Sequence, residues 1–363
     1  WYNNKKVEFK YMVEIKEELD LHNDKGELNI AGYSKEMLLK YDRNRIKASK
    51  LKIKEWDYYL VYNEDYAIAL TVADNSYMGL LSASVIRFKD KTEKTTSIMT
   101  LFPMGKLNTN LETQEHINMP SSSKTGDIIV KNKKCDIRFL HDGKNRRLYC
   151  FMPNFDKNKS LEVDLTLTSE PKQNMVIATP FKENKKAFYY NQKIVGFKAY
   201  GEVKINNEVI NLKQSDTYAL LDWGRGVWTY KNTWYWGAGM GEVNGKVFGF
   251  NIGYGFGDTS NASENMLFFD GKAHKLDQVT FNIPKKDGKD DYLSNWTFTS
   301  NDKRFEMNFT PIINRHADTN ALILRSNQNQ VFGYFTGYAV LDNGERIEIN
   351  NLLGFAEKVY NKW

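Results

Sequence analysis

The sequence of 363 residues predicts an all-β protein in which one set of antiparallel strands occurs twice. Tyrosine and phenylalanine supply 21 residues each and proline only 7, and long amphipathic helical patterns are missing from the sequence. The strand pattern of the first part of the chain also recurs after Trp228. Because closing a sheet removes its exposed edges, each half is predicted to be an antiparallel β-barrel or a strongly curled sheet.

Turn residues mark the predicted strands as hairpins. The first clear hairpin joins Trp56–Tyr62 to Tyr66–Thr71 through a short polar turn, and later hairpins turn at Asn206-Asn207 and Asn343-Gly344. Alternating apolar and polar residues on both sides of these turns are typical of half-buried antiparallel sheets.

One further hairpin turns at Asn301-Asp302. A two-residue loop there predicts that Phe298 pairs with Phe305 and that Thr297 lies opposite Glu306. This hairpin would then have one apolar and one polar face.

The order of elements recurs in the second half. Trp56-Asp57-Tyr58 opens the first series as Trp234-Tyr235-Trp236 opens the second, and Asp222 is followed six residues later by Trp228 as Glu357 is by Trp363. We infer an internal duplication. It divides the chain into an N-terminal segment packing on the barrels (1–50), a first half with an insertion near 105–135 (51–228), and a second half (229–363).

The stretch from Asp222 to Trp228 lies where the two halves meet, and it has two interpretations. In the structural one, Asp222 pairs with Arg225, whose guanidinium stacks on Trp223 or Trp228. In the chemical one, the tryptophans raise the pKa of Asp222, which then protonates an alkene or an oxygen. The neighbouring arginine favours the structural interpretation, because a positive charge keeps a carboxylate ionised.

A glycine-rich hairpin follows, with its turn at Asn244-Gly245. A two-residue loop places Gly239 opposite Phe250 and Trp236 opposite Gly253. The glycines either let the sheet coil tightly or let a flat apolar ligand approach it, with Trp234, Trp236 and Asn251 on the ligand side.

The loop after this hairpin, residues 257–265, carries two carboxylates and several amides that could meet the polar parts of a ligand. With Asp222 as the candidate catalytic acid, the candidate ligand-binding residues are Trp223, Arg225, Trp228, Trp234, Trp236, Asn251, Tyr254, Asp258, Glu264 and Asn265.

Several classes of site are not expected. The five histidines lack the spacing of zinc ligands, so no metal is expected. Gly253 to Gly257 lies within a strand with no helix after it, which is not a nucleotide loop, and no other cofactor is expected. The net charge of +6 is spread thinly, which argues against nucleic acid, and no apolar run is long enough for stable membrane insertion. Two cysteines in so long a chain, Cys135 and Cys150, predict free thiols and a cytoplasmic location.

Four motifs resemble a bacterial family known only as a domain of unknown function. They are Trp56-Asp57-Tyr58-Tyr59, the stretch from Asp222 to Trp236, Gly253 to Asp258 with Glu264-Asn265, and Gly354-Phe355-Ala356-Glu357 to Trp363. That family is similar to the two-barrel, lipocalin-like group of carotenoid hydratase and tocopherol cyclase. The resemblance implies a pair of lipocalin-like barrels with a site between or inside them, and it assigns no catalytic residue.

Together these observations favour the binding of an apolar, lipid-like or isoprenoid-like small molecule in an aromatic cavity near the junction of the halves. One alternative is an acid-catalysed hydratase, isomerase or cyclase acting on such a ligand, with Asp222 as the acid. Another is a carbohydrate-binding or carbohydrate-processing protein, since tryptophan rings also stack on sugars.

Overall fold

Antiparallel strands make up most of the regular structure. The computed structural model describes residues 12–321 and 324–362. The only helices in those ranges are two 3₁₀ turns, Arg43–Arg45 and Lys50–Lys52, so the predicted all-β class is confirmed. No helix of the described residues is long and apolar enough to cross a membrane.

The strands before residue 230 are β1 (Leu19–Asp20), β2 (Gly32–Ser34), β3 (Leu39–Lys40), β4 (Ile53–Tyr62), β5 (Tyr66–Asp74), β6 (Met78–Arg87), β7 (Thr92–Leu101), β8 (Asn108–Thr109), β9 (His116–Ile117), β10 (Ile128–Lys131), β11 (Asp136–His141), β12 (Arg146–Asp156), β13 (Lys159–Thr168), β14 (Met175–Phe181), β15 (Asn184–Ile205), β16 (Glu208–Leu212) and β17 (Tyr218–Val227). The later strands are β18 (Lys231–Val243), β19 (Lys246–Tyr254), β20 (Met266–Phe269), β21 (Lys272–Lys275), β22 (Val279–Asn282), β23 (Lys285–Lys286), β24 (Lys289–Asp290), β25 (Trp296–Ser300), β26 (Phe305–Ala321), β27 (Leu324–Val340) and β28 (Arg346–Lys362).

Two large sheets contain most of these strands, and their strand orders match. The first runs β11-β12-β13-β15-β17-β4-β5-β6-β7, with β10 beside β11 and with β2, β14 and β16 attached near β15. The second runs β22-β25-β26-β27-β28-β18-β19-β20-β21. In each sheet the last long strand of the half, β17 or β28, pairs with its first long strand, β4 or β18. The predicted duplication of curled antiparallel sheets is therefore confirmed.

Gly201 and Gly337 show how closely the two halves correspond. They lie in the equivalent strands β15 and β27, with φ of +138° and +157°. A Cβ atom would lie 2.2 Å from the carbonyl oxygen of Asp164 at Gly201, and 2.1 Å from that of Glu306 at Gly337. Both halves thus bring two backbones together at a point where only glycine fits.

The register of the glycine-rich hairpin is the one that the turn at Asn244-Gly245 predicts. Gly239 lies opposite Phe250 and Trp236 opposite Gly253. Two-residue turns of this type leave a single register open, which explains the agreement.

The pairing predicted between Phe298 and Phe305 is wrong by two residues, because Phe298 lies opposite Met307. The loop holds four residues rather than two, since the Ser300 hydroxyl accepts the backbone N–H groups of Arg304 and Phe305, each at 2.9 Å. A shift of two residues leaves every side chain on its predicted face.

The two halves pack against each other along an interface that we call the seam. Side chains of the second half, among them Trp236, Phe332 and Phe355, belong to the same hydrophobic core as the first half, whereas a second core consists of second-half residues alone. The Tyr62 hydroxyl spans the seam: it donates to Leu353 O at 2.9 Å and accepts from Met240 N at 2.8 Å. A site between the halves is therefore enclosed by two different sheets.

Residues 105–127, within the predicted insertion, leave the first sheet and lie against its interior. Pro120 O accepts from Arg225 Nη2 at 2.7 Å, and Ser123 O accepts from Arg146 Nη1 at 2.8 Å. The division of the chain at residues 50 and 228 stays a prediction.

Cys135 and Cys150 are free and buried, as expected.

Candidate functional site

Asp222 and Arg225 point to opposite faces of strand β17. Side chains alternate along a strand, so two residues three positions apart face opposite ways. Asp222 faces the seam and Arg225 faces the interior of the first half. The ion pair between them, expected under the structural interpretation, is replaced by two separate sets of contacts.

Arg225 is completely buried and anchors the interior of the first half. Its Nη1 donates to Asp57 Oδ1 at 3.0 Å, its Nε lies 3.8 Å from Glu55 Oε1, and its guanidinium lies 4.2 Å from the centre of the Trp223 ring. The predicted stacking on Trp223 is confirmed. Burial raises the pKa of Glu55 and Asp57, and the Arg225 charge opposes that rise. Arg225 also donates to Pro120 O and so holds the segment around Pro120 in the interior of the first half.

Asp222 lies in a polar cluster on the seam. Its Oδ1 accepts from Asn191 Nδ2 at 2.7 Å and pairs with Lys193 Nζ at 2.8 Å. The Lys193 ammonium lies 3.7 Å from the centre of the Trp236 ring, which belongs to the other half. The Trp236 indole in turn donates to Asn251 Oδ1 at 2.8 Å. Charge on the first half thus contacts an aromatic ring on the second.

Glu357 is the second carboxyl group of the seam. It accepts from Trp234 Nε1 and from Gln330 Nε2, each at 3.1 Å. Burial raises the pKa of Glu357 from its ordinary 4.5 to about 7, the Trp234 hydrogen bond and the Lys193 charge oppose the rise, and the Asp222 carboxylate adds to it. Glu357 therefore gains and loses its proton near neutral pH.

Asp222 and Glu357 hold equivalent positions in the two halves. Asp222 lies opposite Lys193 on β15 and Tyr58 on β4. Glu357 lies opposite Gln330 on β27 and Trp236 on β18, the strands that correspond to β15 and β4. The sequence likeness between the ends of the two halves thus has a structural basis. Trp363, the last residue of that likeness, lies outside the described residues.

Glu264 is the third seam carboxyl group. Burial raises its pKa, the Lys193 charge opposes that rise and the Asp222 carboxylate adds to it. Burial also raises the pKa of Tyr189 well above its ordinary 10, and the carboxylates of Glu264, Asp222 and Glu357 raise it further. Because like charges disfavour simultaneous ionisation, the Asp222 charge raises the pKa of both Glu264 and Glu357.

Five aromatic rings form the apolar wall of the seam, and we call them the aromatic cluster: Trp56, Tyr189, Trp228, Trp234 and Phe256. Phe256 lies at its centre, with its ring 4.7 Å from Tyr189, 4.8 Å from Trp228 and 5.2 Å from Trp234. Trp56 stacks on Tyr189 at 6.2 Å and meets Trp228 edge to face at 5.2 Å. Since Trp234 also bonds to Glu357, the apolar wall and the carboxyl groups are parts of one site.

A polar cleft of about 320 Å³ lies beside the aromatic cluster. Thr229 and Thr233, next in sequence to Trp228 and Trp234, line one side of it, and Gly257 and Asp258 line the other.

The structure brings some of the sequence-predicted residues together and separates others. Those on the seam are Asp222, Trp228, Trp234, Trp236, Asn251 and Glu264, and Asp258 lines the cleft. Trp223 and Arg225 lie inside the first half. Tyr254 stacks on Tyr235 at 4.6 Å beside the core of the second half, and Asn265 holds its loop by accepting from Gly253 N at 2.7 Å.

Sequence reasoning missed Lys193 and Tyr189 and gave Glu357 no chemical role. The run Asn191-Gln192-Lys193 stands out as polar within an otherwise apolar buried strand, and that signal was available. No group of three or more His, Cys, Asp or Glu side chains among the described residues is arranged to hold a metal ion.

The fold and the seam define a protein of two lipocalin-like halves. The chain belongs to the family described as "Domain of unknown function (DUF2804)", whose model matches residues 12–363. This confirms the family resemblance seen in the sequence. The chain matches none of the curated proteins compared with it.

Solved structures of the same fold include an AttH protein from Nitrosomonas europaea. It has 11% identity and a TM-score of 0.50, over 87% of this chain and 94% of that one. Kievitone hydratase from Nectria haematococca has 9% identity and a TM-score of 0.50, over 85% of this chain and 88% of that one. At this identity the likeness concerns the fold.

Proposed function

We propose that the protein binds a small, amphipathic, unsaturated molecule at the seam and transfers a proton to it from Glu357. The observation that carries this proposal is the position of Glu357, a buried carboxyl group with a pKa of about 7 that is bonded to Trp234 of the aromatic cluster. Carboxyl groups with such raised pKa values concentrate at acid–base sites.

The surroundings of Glu357 suit a reaction through a positively charged intermediate. Transfer of its proton to one alkene carbon leaves a cation on the other carbon, which indole faces and the Asp222 carboxylate stabilise. Water then adds its oxygen to the cation and returns a proton to Glu357, so that alkene and water give an alcohol. Transfer of a proton from a neighbouring carbon of the cation back to the Glu357 carboxylate instead gives an isomerised alkene. Asp222, the candidate acid from the sequence, acts here as the stabilising anion.

The character of the seam also favours an amphipathic ligand over a purely apolar one. The aromatic cluster forms one wall, while the polar side chains of Asp222, Lys193 and Glu264 lie nearby. The tryptophans largely meet other rings edge to face, which supports a packed aromatic wall more than the open ring faces that bind sugars. A hydratase on the same fold makes water addition the first reaction to test.

The test begins with the compound that the protein retains. Small molecules that co-purify from several expression hosts are identified by mass spectrometry and then incubated with the protein in ¹⁸O-labelled water and in D₂O. We expect incorporation of ¹⁸O, or of deuterium at an alkene carbon. Glu357→Gln should lower the rate by about 10²-fold to 10⁴-fold while the compound still co-purifies.

The matched control is Glu348→Gln, because Glu348 is an exposed residue of the same strand and pairs with Arg346. It should react as the wild type does. Full activity in Glu357→Gln contradicts the assignment of Glu357, and the absence of any retained compound from every host contradicts the binding proposal.

A further inference from the structure

An exposed apolar patch lies at one edge of the first sheet. Leu101 keeps 80% of its surface exposed, Met99 67% and Phe102 64%. Leu101 lies opposite Met78, and Met99 lies opposite Leu80, in the strand pair β6–β7. Apolar side chains that adjoin in this way form a continuous surface, which on a globular protein marks an interaction site.

The turn after β7 extends the patch with unusual backbone geometry. Phe102 and Met104 have φ of +51° and +56°, in the left-handed region that costs bulky residues about 1 kcal/mol or more each. Backbone bonds hold the turn in place, from Phe102 N to Tyr77 O and from Met104 N to Ser76 O, both at 3.0 Å. The chain thus accepts a strained turn that leaves two large apolar side chains exposed.

Lysines surround the same edge of the sheet. The hydroxyl of Ser76 donates to Ile53 O at 2.9 Å, so the exposed segment Lys50–Lys52, with Leu51 at its centre, lies beside the turn. Lys106 is exposed just after it. The nearby carboxylates of Glu55 and Asp74 are buried and bonded within the protein. The turn at this edge therefore presents apolar side chains beside exposed lysines.

From this combination we infer that the patch docks reversibly on an anionic lipid surface. Apolar side chains at such an edge enter the headgroup region, while lysines bind the anionic headgroups around them. A second copy of the chain fits less well, because a symmetric contact through this patch would bring the lysines of both copies together.

The patch also shares a face of the sheet with the aromatic cluster. Met99, Leu80, Ala73 and Trp56 are successive partners across β7, β6, β5 and β4, and partners across antiparallel strands point the same way. Three strand spacings, about 14 Å, separate Met99 from Trp56. A molecule leaving a lipid surface would meet this row on its way to the seam, although docking itself does not depend on the chemistry proposed there.

The test is vesicle flotation of the purified protein. We expect binding to phosphatidylcholine vesicles that contain about 30% phosphatidylglycerol, and weaker binding to phosphatidylcholine alone. The double substitution Leu101→Ser with Phe102→Ser should lower the partition coefficient about tenfold or more, because both side chains are exposed and lose most of their apolar surface. Replacement of Lys50, Lys52 and Lys106 by glutamine should remove the preference for anionic vesicles.

Leu293→Ser is the matched control, because Leu293 is 61% exposed on a loop of the second half. It should float as the wild type does. Failure of the wild type to float with anionic vesicles overturns the proposal, as does equal flotation of the Leu101, Phe102 double variant. If light scattering shows that the wild type is a dimer and that the double variant is a monomer, the patch would instead be assigned to contact with a second copy of the chain.

Discussion

Trp234 donates its indole N–H to Glu357 at 3.1 Å, and this bond joins the aromatic cluster to the carboxyl group whose pKa lies near neutrality. The proposed binding surface and the proposed proton donor therefore share one hydrogen bond. Any change in the charge of Glu357 acts directly on Trp234, one of the rings that would touch a ligand.

The first prediction concerns pH and Glu357. Its pKa is raised from 4.5 to about 7 in the folded protein, so the folded state holds the proton more tightly than the unfolded state does. That contribution to stability is fully present below about pH 4.5 and is lost as pH rises through about 7, with a magnitude of about 3 kcal/mol.

Glu357→Gln removes this titration. The free energy of unfolding of the variant minus that of the wild type should be larger at about pH 8 than at about pH 5, as measured by urea unfolding at both values. If the difference in the free energy of unfolding between the wild type and the variant does not change with pH, Glu357 has an ordinary pKa.

The second prediction concerns the Lys193–Asp222 pair. Lys193→Met leaves the Asp222 carboxylate buried without its ammonium partner and should cost about 3–5 kcal/mol, whereas the double variant with Asp222→Asn should recover much of that loss. The control is Lys246→Met, which breaks an exposed pair with Asp270 of the same 2.8 Å length and should cost less than about 1 kcal/mol. Equal costs for the two lysines, measured by urea unfolding, would contradict a buried pair.

These seam contacts mark the limit of what the sequence predicts. Alternation along β17 is enough to place Asp222 and Arg225 on opposite faces once that stretch is recognised as a strand. The groups around Asp222 cannot be predicted in this way, because Lys193 lies on β15, which no hairpin turn joins to β17, and Glu357 lies on β28 of the other sheet. Only the strand order and the packing of two sheets bring them together.

More of the fold than of the seam can be predicted from the sequence, because the residues of a turn determine its geometry locally. Asn244-Gly245 specifies a two-residue turn and hence the register of a whole hairpin. Where a side chain closes a longer loop, as Ser300 does before Phe305, the register shifts although the inward and outward faces are kept.

The third prediction concerns Arg225. Lysine has no planar guanidinium to reach Asp57, Glu55 and the carbonyl of Pro120 together, so Arg225→Lys should cost about 3 kcal/mol or more. Hydrogen exchange should rise at residues 118–125, which Arg225 helps to hold. The exposed Arg346→Lys should change stability by less than about 0.5 kcal/mol. Unchanged exchange in that segment would mean that it is held without Arg225.

The fourth prediction uses the two equivalent glycines. Alanine at Gly201 or Gly337 would place its Cβ 2.2 Å or 2.1 Å from a backbone carbonyl oxygen, where relief requires the strands to separate. Each substitution should therefore cost more than about 2 kcal/mol. Gly271 also has a positive φ, +76°, but nothing lies within 4 Å of its added Cβ, so Gly271→Ala should cost only about 1 kcal/mol.

Urea unfolding of the three variants separates the cost of close backbone approach from the cost of dihedral strain. If the two halves share one geometry, the costs at Gly201 and Gly337 should agree within about 1 kcal/mol, and a large cost at only one of them would show that the duplicated strands have diverged there.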